Sequence, residues 1–304
     1  MQRRYVTVDV FTDRAFGGNP LAVVLDAEGL STAQMQAIAT EFNYAETTFV
    51  LPPRDPAHDA HVRIFTPRAE IPFAGHPNVG TAFVLASRAA DPPSRLLFEE
   101  AAGLVPVEIL VEQGRPVGAE LTAPQGLSRL TRFAPEQAAA CVSLAAAEVR
   151  IDRHGPEIIS VGLPFLIAEL ASRGALRLAN PDPSAFARVL PCDGAVGIYL
   201  YTRDVPAAEM PCDLQARMFF PGSNGLVEDP ATGSATAAVA ALLADLSDQA
   251  DGELNLCFGQ GFDMGRPSLL RTRVLKHEGT VASVHVGGHC VEMMQGTFQL
   301  AGER

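Results

Sequence analysis

The chain has 304 residues, of which 47 % are apolar, enough for two cores, and its formal charge of −12 counts against a nucleic-acid or anionic-membrane partner. Tryptophan is absent and aromatics make up only 7 %, so a base-stacking surface is also disfavoured. Cys141, Cys192, Cys212, Cys257 and Cys290 are odd in number and lack CxxC spacing, which suits reduced thiols in a soluble cytoplasmic protein; no signal-peptide core follows Arg3-Arg4, and no apolar run reaches the roughly 20 residues that span a bilayer.

In chain order, Val6, Val8 and Val10 share one face of a first strand, and Leu21 to Leu25 reads as the next. A helix over Ser31 to Phe42 follows, with Ser31 and Gln34 as a capping-box pair, Met35, Ile38, Ala39 and Phe42 on one face, and Asn43 as its stop. Further strands are expected at 96–98, 105–111 and 117–121. The second half repeats the pattern at 158–161, 196–201, 214–220, 254–258, 269–275, 281–286 and 291–298, with a helix opening at Asp182-Pro183. Two segments differ from these. Thr81 to Ala90 and Ala235 to Leu246 are Ala-rich and apolar nearly all round, the mark of a helix buried on most sides. Many strands around one buried helix, twice over, predicts two sheet-wrapped-helix lobes, with the linker near Ala123-Pro124-Gln125-Gly126.

A repeated segment supports the duplication. Arg63-Ile64-Phe65-Thr66-Pro67 returns as Arg217-Met218-Phe219-Phe220-Pro221, and each copy leads to a glycine-marked helix start, Gly75-His76-Pro77 or Gly233-Ser234. The spacing from Arg to Gly is 12 in one copy and 16 in the other, as a four-residue insertion would give. His76 is expected at the N-cap, with Pro77 at the first helical position. Two helix starts facing a common cleft would hold a small carboxylate through free N–H groups and the positive helix end; the pattern also fits two ordinary helix starts. Asp229, before Pro230, suits an Asp satisfying loop amides. Glu46, in Tyr44-Ala45-Glu46-Thr47-Thr48-Phe49, reads from the sequence alone as a solvent-facing strand residue; buried, it would be suited to proton shuttling. His58 with His61, and His285 with His289, lack a third ligand, so no metal site is expected. Ser234 lacks the GxSxG elbow of a hydrolase nucleophile, and Gly75 to Gly80 is not a dinucleotide fingerprint.

Taken together, several stretches resemble the phenazine-biosynthesis-like (PhzF-like) isomerase family. They are Val8-Asp9-Val10-Phe11 with Gly18 to Val24, Asn43 to Val50, Arg63 to Pro67, Pro72 to Pro77, Glu228 to Ala235, and Gln260-Gly261 with Met264 to Ser268. The resemblance implies an α+β, diaminopimelate-epimerase-like fold of two pseudo-symmetric lobes, each a barrel-like sheet around a central helix. The expected boundaries are 1–124 and 125–304, with the last strand, about 290–300, crossing back to the first lobe. It also implies a cofactor-free enzyme, a homodimer, and a small carboxylate substrate bound between the lobes. By the same resemblance Glu46 moves a proton between two carbons, His76 and Asp229 assist, and Ala45, Gly75, Gly233 and Ser234 hold the substrate. The family's type reaction isomerises trans-2,3-dihydro-3-hydroxyanthranilate. An epimerase or racemase of a small amino or hydroxy acid, and a non-catalytic binding protein on the same fold, are the alternatives. Racemases of the broader fold use two opposed cysteines at the helix starts, where this chain has His76 and Ser234, so a one-base reaction is favoured.

Overall fold

The computed structural model describes residues 2–206, 211–222 and 225–300, to which all structural statements refer. Contacts divide the chain into two compact units, Met1–Leu121 with Gly287–Arg304, and Thr122–Val286.

The first unit contains β1 (Gln2–Val10), β2 (Asn19–Val24), α1 (Thr32–Phe42), β3 (Glu46–Leu51), β4 (Ala60–Phe65), β5 (Glu70–Ile71), α2 (Gly75–Ala86), β6 (Arg95–Glu100), β7 (Gly103–Glu112) and β8 (Arg115–Thr122). β1 runs antiparallel to β2, β2 parallel to β3 and β3 antiparallel to β4. β4 lies parallel to β6, which continues antiparallel through β7 to β8. The parallel β2–β3 step needs a crossover, and α1 supplies it. Ser31 and Gln34 form the expected capping box, Asn43 ends the helix at φ 54°, and Met35, Ile38 and Ala39 bury the inner face against Val24, Phe49 and Phe65.

The second unit contains β9 (Ser128–Arg132), α3 (Pro135–Cys141), β10 (Glu157–Ser160), β11 (Pro164–Glu169), α4 (Arg173–Leu178), α5 (Pro183–Val189), β12 (Ile198–Thr202), β13 (Leu214–Gly222), β14 (Gly225–Asp229), α6 (Gly233–Asp245), β15 (Gly252–Gln260) and β16 (Ser268–His277). The order of pairings recurs: β11 parallel to β12, β12 antiparallel to β13, β13 parallel to β15, and β15 antiparallel to β16. β17 (Thr280–Gln299) begins in this unit and ends in the first, where it pairs with β1 and β8 and closes the ring of strands.

Two strands were expected at 281–286 and 291–298, separated by Gly287-Gly288, but β17 is continuous. The glycines permit a close strand approach rather than a break: a Cβ on Gly118 would lie 2.0 Å from the Gly288 carbonyl oxygen.

The central helices are α2 and α6. Nearly all of their residues are buried, as their all-round apolar sequences require. α2 packs on β1, β2, β3 and β7, and α6 on β10, β11, β15 and β16. α6 starts at the glycine-marked position expected, Gly233, whereas α2 starts at Gly75, two residues ahead of the Pro77 expected as its first helical position.

The repeated Arg segments have a structural use. Arg63 grips Glu70 bidentately at 2.7 and 2.6 Å and lies over the Phe65 ring. Arg217 does the same with Glu228, at 2.8 and 2.7 Å, and with Phe219. The partners are 7 residues apart in the first copy and 11 in the second. From each Glu to the helix glycine the count is the same, so the four-residue insertion lies inside the β13–β14 hairpin.

Candidate functional site

In the first unit, α1 stops at Asn43, the chain turns through Tyr44 and exposed Ala45, and Glu46 opens β3 opposite Leu21. Glu46 is not the solvent-facing residue that the sequence alone suggested. Its Oε2 is shut off from water and lies 3.4 Å from Nε2 of His76. The reason is the parallel β2–β3 pairing, which sets the start of β3 beside the start of α2.

The N-cap of α2 is Ala74, at φ −154° and ψ 143°, so His76 is the second helical residue and not the cap. Ala74 has no side chain that can cap, and no side-chain cap bond is present. The N-cap side chain therefore satisfies none of the first-turn amide donors. Gly75 is the first helical residue, and Pro77, lacking an N–H, is tolerated in the first turn. His76 is buried, and burial pushes its imidazole down to about 3, so the ring is neutral at physiological pH. Its Nε2 makes no hydrogen bond among the described residues. A buried nitrogen without a bond, 3.4 Å from a carboxylate oxygen, is an arrangement a purely structural pair would avoid.

In the second unit, Asp229 ends β14, and Gly233 and Ser234 are the first two residues of α6, after the N-cap Thr232. Ser234 thus holds the same helical position as His76. The Thr232 hydroxyl donates to Asp229 Oδ2 at 2.5 Å and does not cap the helix. Gln260 holds this approach at both ends, donating to the Asp229 carbonyl at 2.7 Å and accepting from Thr232 N at 3.0 Å. Gly261, at φ +74°, lets the chain pass close behind, where a Cβ would come within 2.7 Å of the Pro230 carbonyl oxygen.

Other candidates resolve as structural. His58 donates into a Glu99 carboxylate that also accepts from the Arg54 and Asp55 amides, and His289 pairs with Glu112. No group of His, Cys, Asp or Glu among the described residues could hold a metal ion. Two residues escaped the sequence reading: Gln260, quoted only as a motif, and Glu100, a carboxyl beside Asn78 of α2. The signal for Glu100 was the Glu99-Glu100 pair at a strand end, since alternation must turn one of the two inward.

A closed sheet around a buried helix defines a diaminopimelate-epimerase-like fold, here with a carboxylate and a neutral imidazole at the helix start. The chain belongs to the phenazine biosynthesis-like protein family, which matches residues 8–296. It is 39 % identical to an uncharacterised isomerase of Mesorhizobium japonicum over 97 % of this chain and 98 % of that protein. It is 36 % identical to the trans-2,3-dihydro-3-hydroxyanthranilate isomerase of Pseudomonas chlororaphis, over 97 % and 99 % respectively. The crystal structure of the Bacillus anthracis phenazine biosynthesis protein of the PhzF family superposes with a TM-score of 0.86 at 24 % identity, covering 99 % of this chain and all of that one. The protein is an isomerase of this family. Among the described residues no helix is long and apolar enough to cross a membrane.

Proposed function

We propose that this isomerase moves a proton between two carbons of a small cyclic carboxylate resembling trans-2,3-dihydro-3-hydroxyanthranilate, with Glu46 as the single acid–base group. The observation that carries the reading is the Glu46–His76 contact at the start of α2. The Glu46 carboxylate takes a proton from one ring carbon, leaving an electron pair delocalised into the adjacent unsaturation. The resulting acid, whose O–H exchanges with solvent, returns a proton to a second carbon, so the proton count of the ring is unchanged. Neutral His76 steers the carboxylate and offers Nε2 to a substrate polar group. First-turn amides at Gly75 hold negative charge on the substrate. Asp229, Gly233 and Ser234 are assigned the orienting and carboxylate-holding roles of the family resemblance. None of the five cysteines lies in either helix start, which supports a one-base reaction over two-thiol racemisation.

The test is Glu46→Gln. Incubated in deuterium oxide with trans-2,3-dihydro-3-hydroxyanthranilate, the wild type should turn over substrate with solvent label entering carbon positions. The variant should still bind the substrate while turnover falls by roughly 10²–10⁴, the usual share of a general acid–base group. Wild-type-like turnover in the variant would remove Glu46 from the mechanism.

A further inference from the structure

A second carboxyl lies beside the same helix start. Glu100 ends β6 opposite Gly103, and the turn it opens is tied to the segment ahead of α2 by a 3.2 Å bond from Ala102 N to the Pro72 carbonyl. Its neighbour Glu99 is turned to the Arg54 and Asp55 amides and to His58. Strand alternation sends Glu100 to the other face, beside Asn78 in the first turns of α2. Both Glu100 carboxyl oxygens are shut off from solvent, and neither meets full hydrogen-bond geometry with any of the described residues. Asn78 is fully buried; its Nδ2 donates to the carbonyl of the N-cap Ala74 at 3.1 Å, while its Oδ1 is buried without a bond.

That arrangement has a consequence for the protonation state. As a carboxylate, Glu100 would be a charge shut off from water with only the Asn78 side chain to favour it, and it would supply no donor to the buried Asn78 Oδ1, a costly arrangement. As an acid, it supplies the missing O–H. Burial pushes the carboxyl up to about 8, and hydrogen bonding from the Asn78 side chain, which favours the carboxylate, opposes it only in part. The charged and titratable groups of the neighbouring elements are engaged elsewhere: His76 of α2 with Glu46, Arg63 of β4 with Glu70 of β5, and His61 of β4 with Arg54. Glu108 of β7 is exposed, as is Arg95 of β6.

We propose that Glu100 is a positioning residue of this enzyme: a buried neutral acid that donates to Asn78, braces the Ala74–Asn78 helix start and keeps negative charge away from it, so that the start can take an anionic group of the substrate. The inference rests on the reading of the α2 start as a holder of substrate charge. Ionised Glu100 would compete for the positive helix end and repel the bound anion.

Two measurements test this. The first needs no ligand: a carbon-13 NMR titration of the glutamate side-chain carboxyls, with the Glu100 signal assigned by its loss in Glu100→Gln. A midpoint near 8 supports the proposal, and a midpoint below 6 overturns it. The second follows the binding of 3-hydroxyanthranilate, the aromatic analogue of the proposed substrate, from pH 6 to 9.5. If only the neutral form binds, wild-type affinity falls about tenfold between pH 7 and pH 9, as the competent fraction falls. In Glu100→Gln, which retains a donor for Asn78, that fall disappears; an unchanged fall overturns the proposal. Failure of the wild type to bind the probe at any pH would count against the substrate reading alone, because the carboxyl titration still decides for or against a neutral Glu100.

Discussion

Removing Arg217 should destabilise the fold more than removing its counterpart Arg63, although the two side chains make the same kind of grip. The Arg217–Glu228 pair is nearly enclosed, with side-chain exposures of 12 % and 14 %, against 20 % and 33 % for Arg63–Glu70. Arg217 also donates to the Leu176, Arg177 and Ala179 carbonyls at the end of α4, whereas among the described residues the only further side-chain hydrogen bond of Arg63 goes to the Thr32 hydroxyl. Arg217→Ala strands a largely buried carboxylate, at about 3 kcal/mol, and uncaps the α4 carbonyls for about 1 kcal/mol more. Arg63→Ala breaks a half-exposed pair worth about 1 kcal/mol and one further bond of about 0.5–1 kcal/mol. Each loses one ring contact, so that contribution cancels. The difference is about 2 kcal/mol, which at roughly 2–4 °C per kcal/mol for units of this size separates the two melting temperatures by about 4–8 °C. Calorimetry and urea denaturation of the two single variants would measure it. Equal losses, or a larger loss for Arg63→Ala, would refute the assignment of the second copy as the enclosed one.

Three other outcomes are expected. Glu100 is raised from 4.5 to about 8, so the folded state binds the extra proton between those values and stability should fall as pH rises through that window; Glu100→Gln should flatten the decline in a series of melts from pH 4.5 to 9. Glu99 is lowered to about 2 by the Asp55 amide, His58 and the Arg54 amide, so its contribution is present above pH 4.5 and lost as pH falls from there towards 2; Glu99→Gln should show a shallower acid limb in that interval. Gly261→Ala should strain a left-handed residue by about 1–2 kcal/mol and push on the Pro230 carbonyl, so kcat/KM should drop about tenfold or more through displacement of Asp229. Gly126→Ala, with no neighbour within 4 Å, is the control, and equal activity of the two variants would remove the clamp from the account.

The architecture was legible because its signals are local and repeated. The Ser31–Gln34 capping box and Asn43 mark α1 at both ends, and the Arg-Phe repeats with their glycines mark the two central helix starts. What escaped the sequence depends on contacts between elements. The cap of α2 was misplaced because Gly75-His76-Pro77 looks like a cap followed by proline, whereas the chain enters from an extended Ala74 whose methyl can accept no hydrogen bond. β17 was split because Gly287-Gly288 reads as punctuation, and only the passage of β8 explains two glycines inside a strand. Glu46 was ambiguous for a similar reason: a carboxylate at a strand start is ordinary until a histidine from another element lies 3.4 Å away.

The Arg grips connect these two kinds of information. Each fixes the strand that precedes a helix start, at an unvarying distance from the helix glycine, whatever the length of the hairpin between Arg and Glu. The hairpin can therefore take insertions without moving the helix start. The chemistry differs between copies where the scaffold does not: His76 and Ser234 occupy the same helical position, and the acid Glu100 beside α2 lies outside the repeat altogether. A duplicated frame held by paired arginines leaves the side chains at its helix starts free to diverge, as the one-base reaction proposed for the first unit would require.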